Sequence, residues 1–165
     1  MKSIRWFIFI LMGFLLVWGC EEFLRRKVGG LAGSYPFAEH WEIEATEQEV
    51  ISAIRELGRT NPGFRSLDKD ENISSREGDG EGDYWLYIDL YYPDTRELVH
   101  SWTRPLADTT KTTFALVSLV SVDNPNDIRL INRDFWFLPN RKQIRRFEST
   151  FVDKILEQIQ KRRAR

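Results

Sequence analysis

The sequence predicts an α+β fold: a two-layer sandwich in which a mainly antiparallel sheet of four to five strands packs against two helices, in the order β-α-β-β-β-(β)-α. Three observations carry this. Residues 40–45 alternate strictly and lead straight into a capped amphipathic segment. Residues 84–92 alternate over their whole length and are followed by a turn and a second extended run. The last quarter of the chain carries large apolar residues at helical spacing.

Trp41, Ile43 and Ala45 share one face of the first strand, with His40, Glu42 and Glu44 on the other. Thr46 stands where a helix cap belongs, and Glu49 completes a Thr-x-x-Glu capping box. Val50, Ala53, Ile54 and Leu57 then form one apolar stripe, which Gly58 and Asn61-Pro62 bring to a stop. Residues 67–83 are almost wholly polar and predict a mobile loop.

In residues 84–92, Tyr84, Leu86, Ile88, Leu90 and Tyr92 fall on one face, and Trp85, Tyr87, Asp89 and Tyr91 on the other. Pro93-Asp94-Thr95-Arg96 makes the turn to a hairpin partner at 98–103. Residues 112–122 are apolar on both faces and predict a central strand. Asp123-Asn124-Pro125-Asn126-Asp127 is a turn, and 128–132 a short further strand. Asn140 is the predicted cap of a long last helix whose stripe is Ile144, Phe147, Phe151, Ile155 and Ile159. Lys161-Arg162-Arg163-Ala164-Arg165 reads as a basic tail that frays.

With 165 residues, 42% hydrophobic and 30% charged, the chain has room for one domain with a real core. Six Trp and eleven Phe suit sheet faces filled by rings. A formal net charge of -1 gives no general attraction to nucleic acid, although the middle is acidic and the last quarter basic. The one cysteine, Cys20, excludes an internal disulfide, a Cys-x-x-Cys redox site and a multi-cysteine metal site.

Residues 1–19 read as a signal peptide: a cationic start at Lys2 and Arg5, an apolar run of about thirteen to fifteen residues from Trp6, and the small Gly19 before Cys20. Val17-Trp18-Gly19-Cys20 resembles the lipobox of bacterial lipoproteins, with Trp18 standing where a smaller residue is usual. The resemblance implies cleavage before Cys20 and a diacylglycerol on its sulfur. The mature region also resembles small uncharacterised lipoproteins of Bacteroidota-type bacteria, which implies no activity. The alternative is an uncleaved single-pass signal anchor, for which the apolar run is short, since a span takes about twenty residues. Residues 20–34 are read as lipidated cysteine and flexible tether, and 35–165 as a single domain.

No catalytic motif stands out. Asp68, Asp70, Asn72, Ser74, Arg76 and Asp79 have the spacing of a calcium loop, but Ile73 takes the place of its glycine and Asp79 that of its glutamate. A solvated acidic loop is the better account, and no metal or cofactor is expected. His40 and His100 are far apart in sequence and are assigned surface roles. Trp85, Tyr87, Tyr91 and Trp102 form a candidate binding surface if the second face of the sheet is left open. The opposing account is that these rings pack on one another.

The expectation is therefore a non-enzymatic lipoprotein of the cell envelope, membrane-bound through Cys20, with an envelope protein as partner and no nucleic acid. The run Trp41 to Ile54 and the long last helix also resemble helix-grip domains, which implies the alternative, a carrier or sensor of an apolar small molecule; a hydrolase is the third.

Overall fold

The computed structural model describes residues 2–29, 35–64, 73–74 and 85–164. The chain runs α1 (Lys2–Lys27), β1 (Glu39–Ile43), α2 (Glu47–Thr60), a 3-10 turn (Pro62–Phe64), β2 (Ile73–Ser74), β3 (Leu86–Tyr92), β4 (Glu97–Pro105), β5 (Thr112–Ser121), β6 (Ile128–Leu130), α3 (Phe137–Phe147), a π turn (Glu148–Val152) and α4 (Asp153–Arg163). The fold is α+β with an open antiparallel sheet, as the alternation pattern predicts. The sheet order is β1-β5-β4-β3-β2, and β6 also pairs with β5. β1 covers 112–116 of β5 and β6 covers 118–120, so the two lie end to end along one side of the central strand.

One face of the sheet carries the main core. Ile43, Ile88, Leu90, Tyr92, Val99, Phe114, Leu116 and Leu119 meet Val50, Ala53, Ile54 and Leu57 of α2 and Phe147, Phe151, Ile155 and Ile159 of the last helix. The capping box predicted for α2 is formed: the Thr46 side chain accepts from the Glu49 amide, and the Glu49 carboxylate accepts from the Thr46 amide. Burying each of these large side chains stabilises the fold by about 1.5–3 kcal/mol.

Two irregularities keep the apolar series aimed inward. β5 carries a bulge at Val117, seen as the register step between His100 and Ser101 of β4. Phe114 and Leu116 face the core before the bulge and Leu119 after it, so the parity of the series switches. The carbonyl of the extra residue is used, because Val117 O accepts from the Ile131 amide at 3.0 Å. In the last helix, the steps Phe147–Phe151–Ile155–Ile159 are all four residues long. Each overshoots an α-helical turn by about 40°, so the stripe would drift off the core. The π turn at 148–152 takes more residues per turn and absorbs that drift.

Asn140 does not cap the last helix. α3 begins three residues earlier, behind Trp136, which makes no side-chain cap bond. Asn140 lies inside the first turn and is 2% exposed. Its Oδ1 accepts from the Asn132 amide at 2.8 Å and its Nδ2 donates to Asn132 Oδ1 at 2.7 Å. This closes the β6–α3 turn, in which Asn132 holds a φ of +62°. Lys161, Arg162 and Arg163 of the basic tail are helical rather than frayed: α4 continues to Arg163, and Arg162 and Arg163 bond to α2, while Arg165 lies outside the described residues.

Residues 21–27, expected as part of a tether, are helical and continuous with the apolar segment before them. Gly29 ends this helix at a φ of +68°, its amide on Leu24 O at 3.2 Å; a Cβ there would lie 2.5 Å from Pro36 O.

Candidate functional site

Cys20 is exposed on α1 and lies where the helix changes character. Before it, Trp6, Phe7, Ile10, Leu11, Met12, Phe14, Leu16 and Val17 are all exposed. After it the helix is bonded to the domain, although Phe23, Leu24 and Val28 stay exposed. Glu22 is buried and bonds Arg25, whose Nη2 donates to Phe135 O at 2.8 Å. Arg26 Nε donates to Arg133 O at 2.8 Å. Among the described residues no helix is long and apolar enough to cross a membrane.

The predicted aromatic surface is mostly a second, smaller core on the sheet face away from α2 and the last helix. Trp102 is 1% and Tyr91 7% exposed, whereas Trp85 and Tyr87 are half-buried. Trp85 meets Trp102 edge-on at 4.5 Å. Tyr35, which composition and pattern do not single out, seals the cluster. Its ring stands 5.9 Å from Trp102 and 5.6 Å from Trp85, and its hydroxyl is 2.7 Å from that of Tyr87. Burial, then the bond to Tyr87, pushes the Tyr35 phenol up to about 12. The rings thus pack on one another, leaving Trp85 and Tyr87 as the accessible part of the set. Tyr91 stands apart, on the same face, in register with Leu98 and, through it, Val120.

His40 and His100 are not brought together. The His40 ring leans on Trp102 at 5.3 Å. Burial of the imidazole lowers its pKa; Glu39 opposes this and Arg104 adds to it. His100 Nδ1 lies 2.7 Å from Asp89 Oδ1, directly across the β3–β4 ladder. An imidazole oriented by a carboxylate is half of a nucleophile-activating triad. Among the described residues no serine hydroxyl or thiol hydrogen-bonds to the imidazole, so the pair as it stands orients a ring.

A polar cleft of about 360 Å³ opens at the root of α1, lined by Arg25, Tyr35, Glu39, His40 and Asn132. Asn132 Nδ2 already donates to Glu39 at 2.9 Å, which leaves His40 as the titratable group facing it without a side-chain bond. A second cleft of about 300 Å³, lined by Arg26, Lys27, Phe37, Arg133 and Asp134, is basic. Among the described residues no cluster of His, Cys, Asp and Glu has the makings of a metal site. The calcium-like series 68–79 lies outside the described residues apart from the backbone at 73–74.

Two features escaped pattern reading. Glu97 is buried at the start of β4, where Arg129 bonds one carboxylate oxygen and Thr95 Oγ1 donates to the other at 2.5 Å. Arg146, which stacks 3.6 Å over the Tyr92 ring, stands 3.5 Å from the same carboxylate. The second is the run Phe135-Trp136-Phe137-Leu138. Four large apolar residues ahead of a Pro-Asn pair are a signal in themselves, and Trp136 and Leu138 are strongly exposed.

Neither the protein-family models nor the curated proteins contain a match to this chain.

Proposed function

We propose that this chain is a membrane-anchored module of a bacterial cell envelope, held by lipid on Cys20 and acting by binding rather than catalysis. The observation that carries this is the change along α1 at Cys20. An exposed helix that is apolar all round has no favourable place in water, since burying its surface is worth about 25 cal/mol per Å². The unbroken apolar run ends at the cysteine; beyond it charged residues enter the helix beside the still exposed Phe23 and Leu24, and Arg25 and Arg26 bond it to the domain. Acyl chains on Cys20 add about 0.8 kcal/mol per buried methylene and hold the domain where a short apolar run alone would not.

A binding role is supported by the packing between sheet and helices. Phe147 lies among Trp41, Phe114 and Phe151 at ring distances of 5.2–5.4 Å, so rings fill the space a carried small molecule would need. The half-buried Trp85 and Tyr87 offer an envelope protein an accessible aromatic edge.

The test is metabolic labelling with a clickable fatty acid, comparing wild type with Cys20→Ala. The expected result is a labelled wild type, shortened by cleavage before Cys20, and an unlabelled variant. Equal labelling of both overturns lipidation at this residue. An unlabelled, full-length chain in the membrane fraction makes α1 an uncleaved signal anchor instead.

A further inference from the structure

We infer that the start of α3 is a second membrane contact, with Trp136 and Leu138 entering the interfacial layer of the bilayer and Arg26, Arg133 and Arg141 set against anionic phospholipid headgroups. The inference rests on the proposal that α1 or lipidated Cys20 holds the chain to a membrane, and it adds how the domain lies there.

Exposure draws attention to this place. Trp136 is 64% and Leu138 76% exposed, on a domain whose other large apolar side chains are mostly packed. Scattered apolar residues on a surface are ordinary. Location is what distinguishes these two. The Trp18 ring meets the Phe137 ring edge-on at 6.3 Å. One residue before Trp136, Phe135 O accepts from Arg25, and Arg133 O accepts from Arg26. The segment 133–137 therefore lies alongside α1 between Trp18 and Arg26, a rise of about 12 Å. Within that rise the apolar helix gives way to Arg25-Arg26-Lys27. Wherever the apolar part enters the membrane, the start of α3 stands at the water boundary. If the segment before Cys20 is removed, acyl chains on the cysteine begin at the same level.

The chemistry suits that depth. Tryptophan is favoured at the headgroup level, where its ring is half solvated, and basic side chains lay their stems on apolar surface while the charge reaches water or phosphate. Arg26 stacks 4.5 Å over the Trp136 ring and Arg141 lies 5.4 Å over Phe137. Glu22 pairs with Arg25, while Glu21 and Asp134 keep their charge, Asp134 lying 3.8 Å from Arg133. Against these two carboxylates stand Arg26, Lys27, Arg133 and Arg141, which leaves a modest positive excess. Such a patch is attracted to an anionic leaflet and weakens with salt.

The test reconstitutes the chain as purified from the membrane fraction of labelled cells, with whatever lipid it carries on Cys20, into vesicles of phosphatidylcholine, with and without phosphatidylglycerol, whose acyl chains are brominated. Flotation reports anchoring, and the fluorescence difference between wild type and Trp136→Phe isolates Trp136. Trp136 is expected to be quenched by bromolipid, several-fold more strongly with phosphatidylglycerol. That quenching should fall in Leu138→Asp and in Arg133→Glu/Arg141→Glu, with flotation unchanged. A floating chain whose Trp136 is quenched by aqueous acrylamide and untouched by bromolipid overturns this inference alone. Shielding from both quenchers overturns it too, in favour of a protein surface such as a second copy. A wild type that does not float overturns the anchoring reading and this one with it.

Discussion

Arg163 grips Glu49 with two nitrogens, Nε on Oε1 at 3.0 Å and Nη2 on Oε2 at 3.1 Å. The same carboxylate accepts from the Thr46 amide at 2.9 Å, so one side chain closes the first turn of α2 and ties it to the last turn of α4. Arg163, then the Thr46 amide, hold this carboxyl down at about 2. A depressed carboxyl contributes its stability in full above its unfolded value of 4.5 and loses it as pH falls towards about 2. Urea unfolding of wild type should therefore weaken across that window more than unfolding of Glu49→Gln does. Thr46→Ala, which removes the other half of the box, should cost about 1 kcal/mol.

Phe151→Ala should be the more damaging kind of change. The ring stands 5.4 Å from each of Phe64, Tyr92 and Phe147 and is fully buried. Truncation leaves a cavity worth about 3–5 kcal/mol, a large part of a stability of about 5–15 kcal/mol. Denaturant midpoints of Phe151→Ala and Phe151→Leu would check this, the leucine losing much less.

Glu97→Gln keeps the shape of the side chain and removes its charge. Arg129 and Arg146 would then face a neutral amide in a place that is only 8% exposed for the carboxylate. Hydrogen bonds to charged groups contribute about 1.5–3 kcal/mol, and the half-open arginines put the expected loss near the lower end. A double-mutant cycle with Arg129→Met would separate this pair from the rest.

Asn140→Ala deletes both bonds to Asn132 and leaves the Asn132 amide without its acceptor. The expected cost is about 1–3 kcal/mol, accompanied by faster hydrogen exchange of that amide. Asn140→Asp retains the acceptor and should recover the protection of the amide.

The elements legible in the sequence are those whose signal is local. The alternation in 86–92, the Thr46–Glu49 box and the stripes of α2 and the last helix are written in neighbouring residues, and the structure has them where the pattern puts them. What was not legible depends on partners distant in sequence. Asn140 is a good cap residue by type, but its amide is claimed by a left-handed Asn132 that no local pattern marks. The tail is basic enough to fray until Glu49 supplies a carboxylate across the fold. The bulge at Val117 is hidden because 112–120 is apolar on both faces, which reads the same in either parity. The aromatic set shows the same limit. Alternation places Trp85 and Tyr87 on one face correctly, and the register sets Trp102 directly across from Tyr87, but neither reveals that Tyr35 folds over them.

The end-to-end seating of β1 and β6 on β5 bears on how the chain is assembled. β3, β4 and β5 form a meander of local pairings that can close as soon as it is made. β1 has to wait for a partner about seventy residues further along, and loop closure of that length slows its pairing. During that wait Trp41 and Ile43 sit on an unpaired strand, the kind of edge that attracts other chains. Glu39, Glu42 and Glu44 alternate with or flank these residues, and like charges on every copy would keep such strands apart. These three acidic residues would then protect the newly made chain as well as bond the finished domain, and neutralising Glu42, which makes no such bond among the described residues, should show first as aggregation during refolding, before any loss of equilibrium stability.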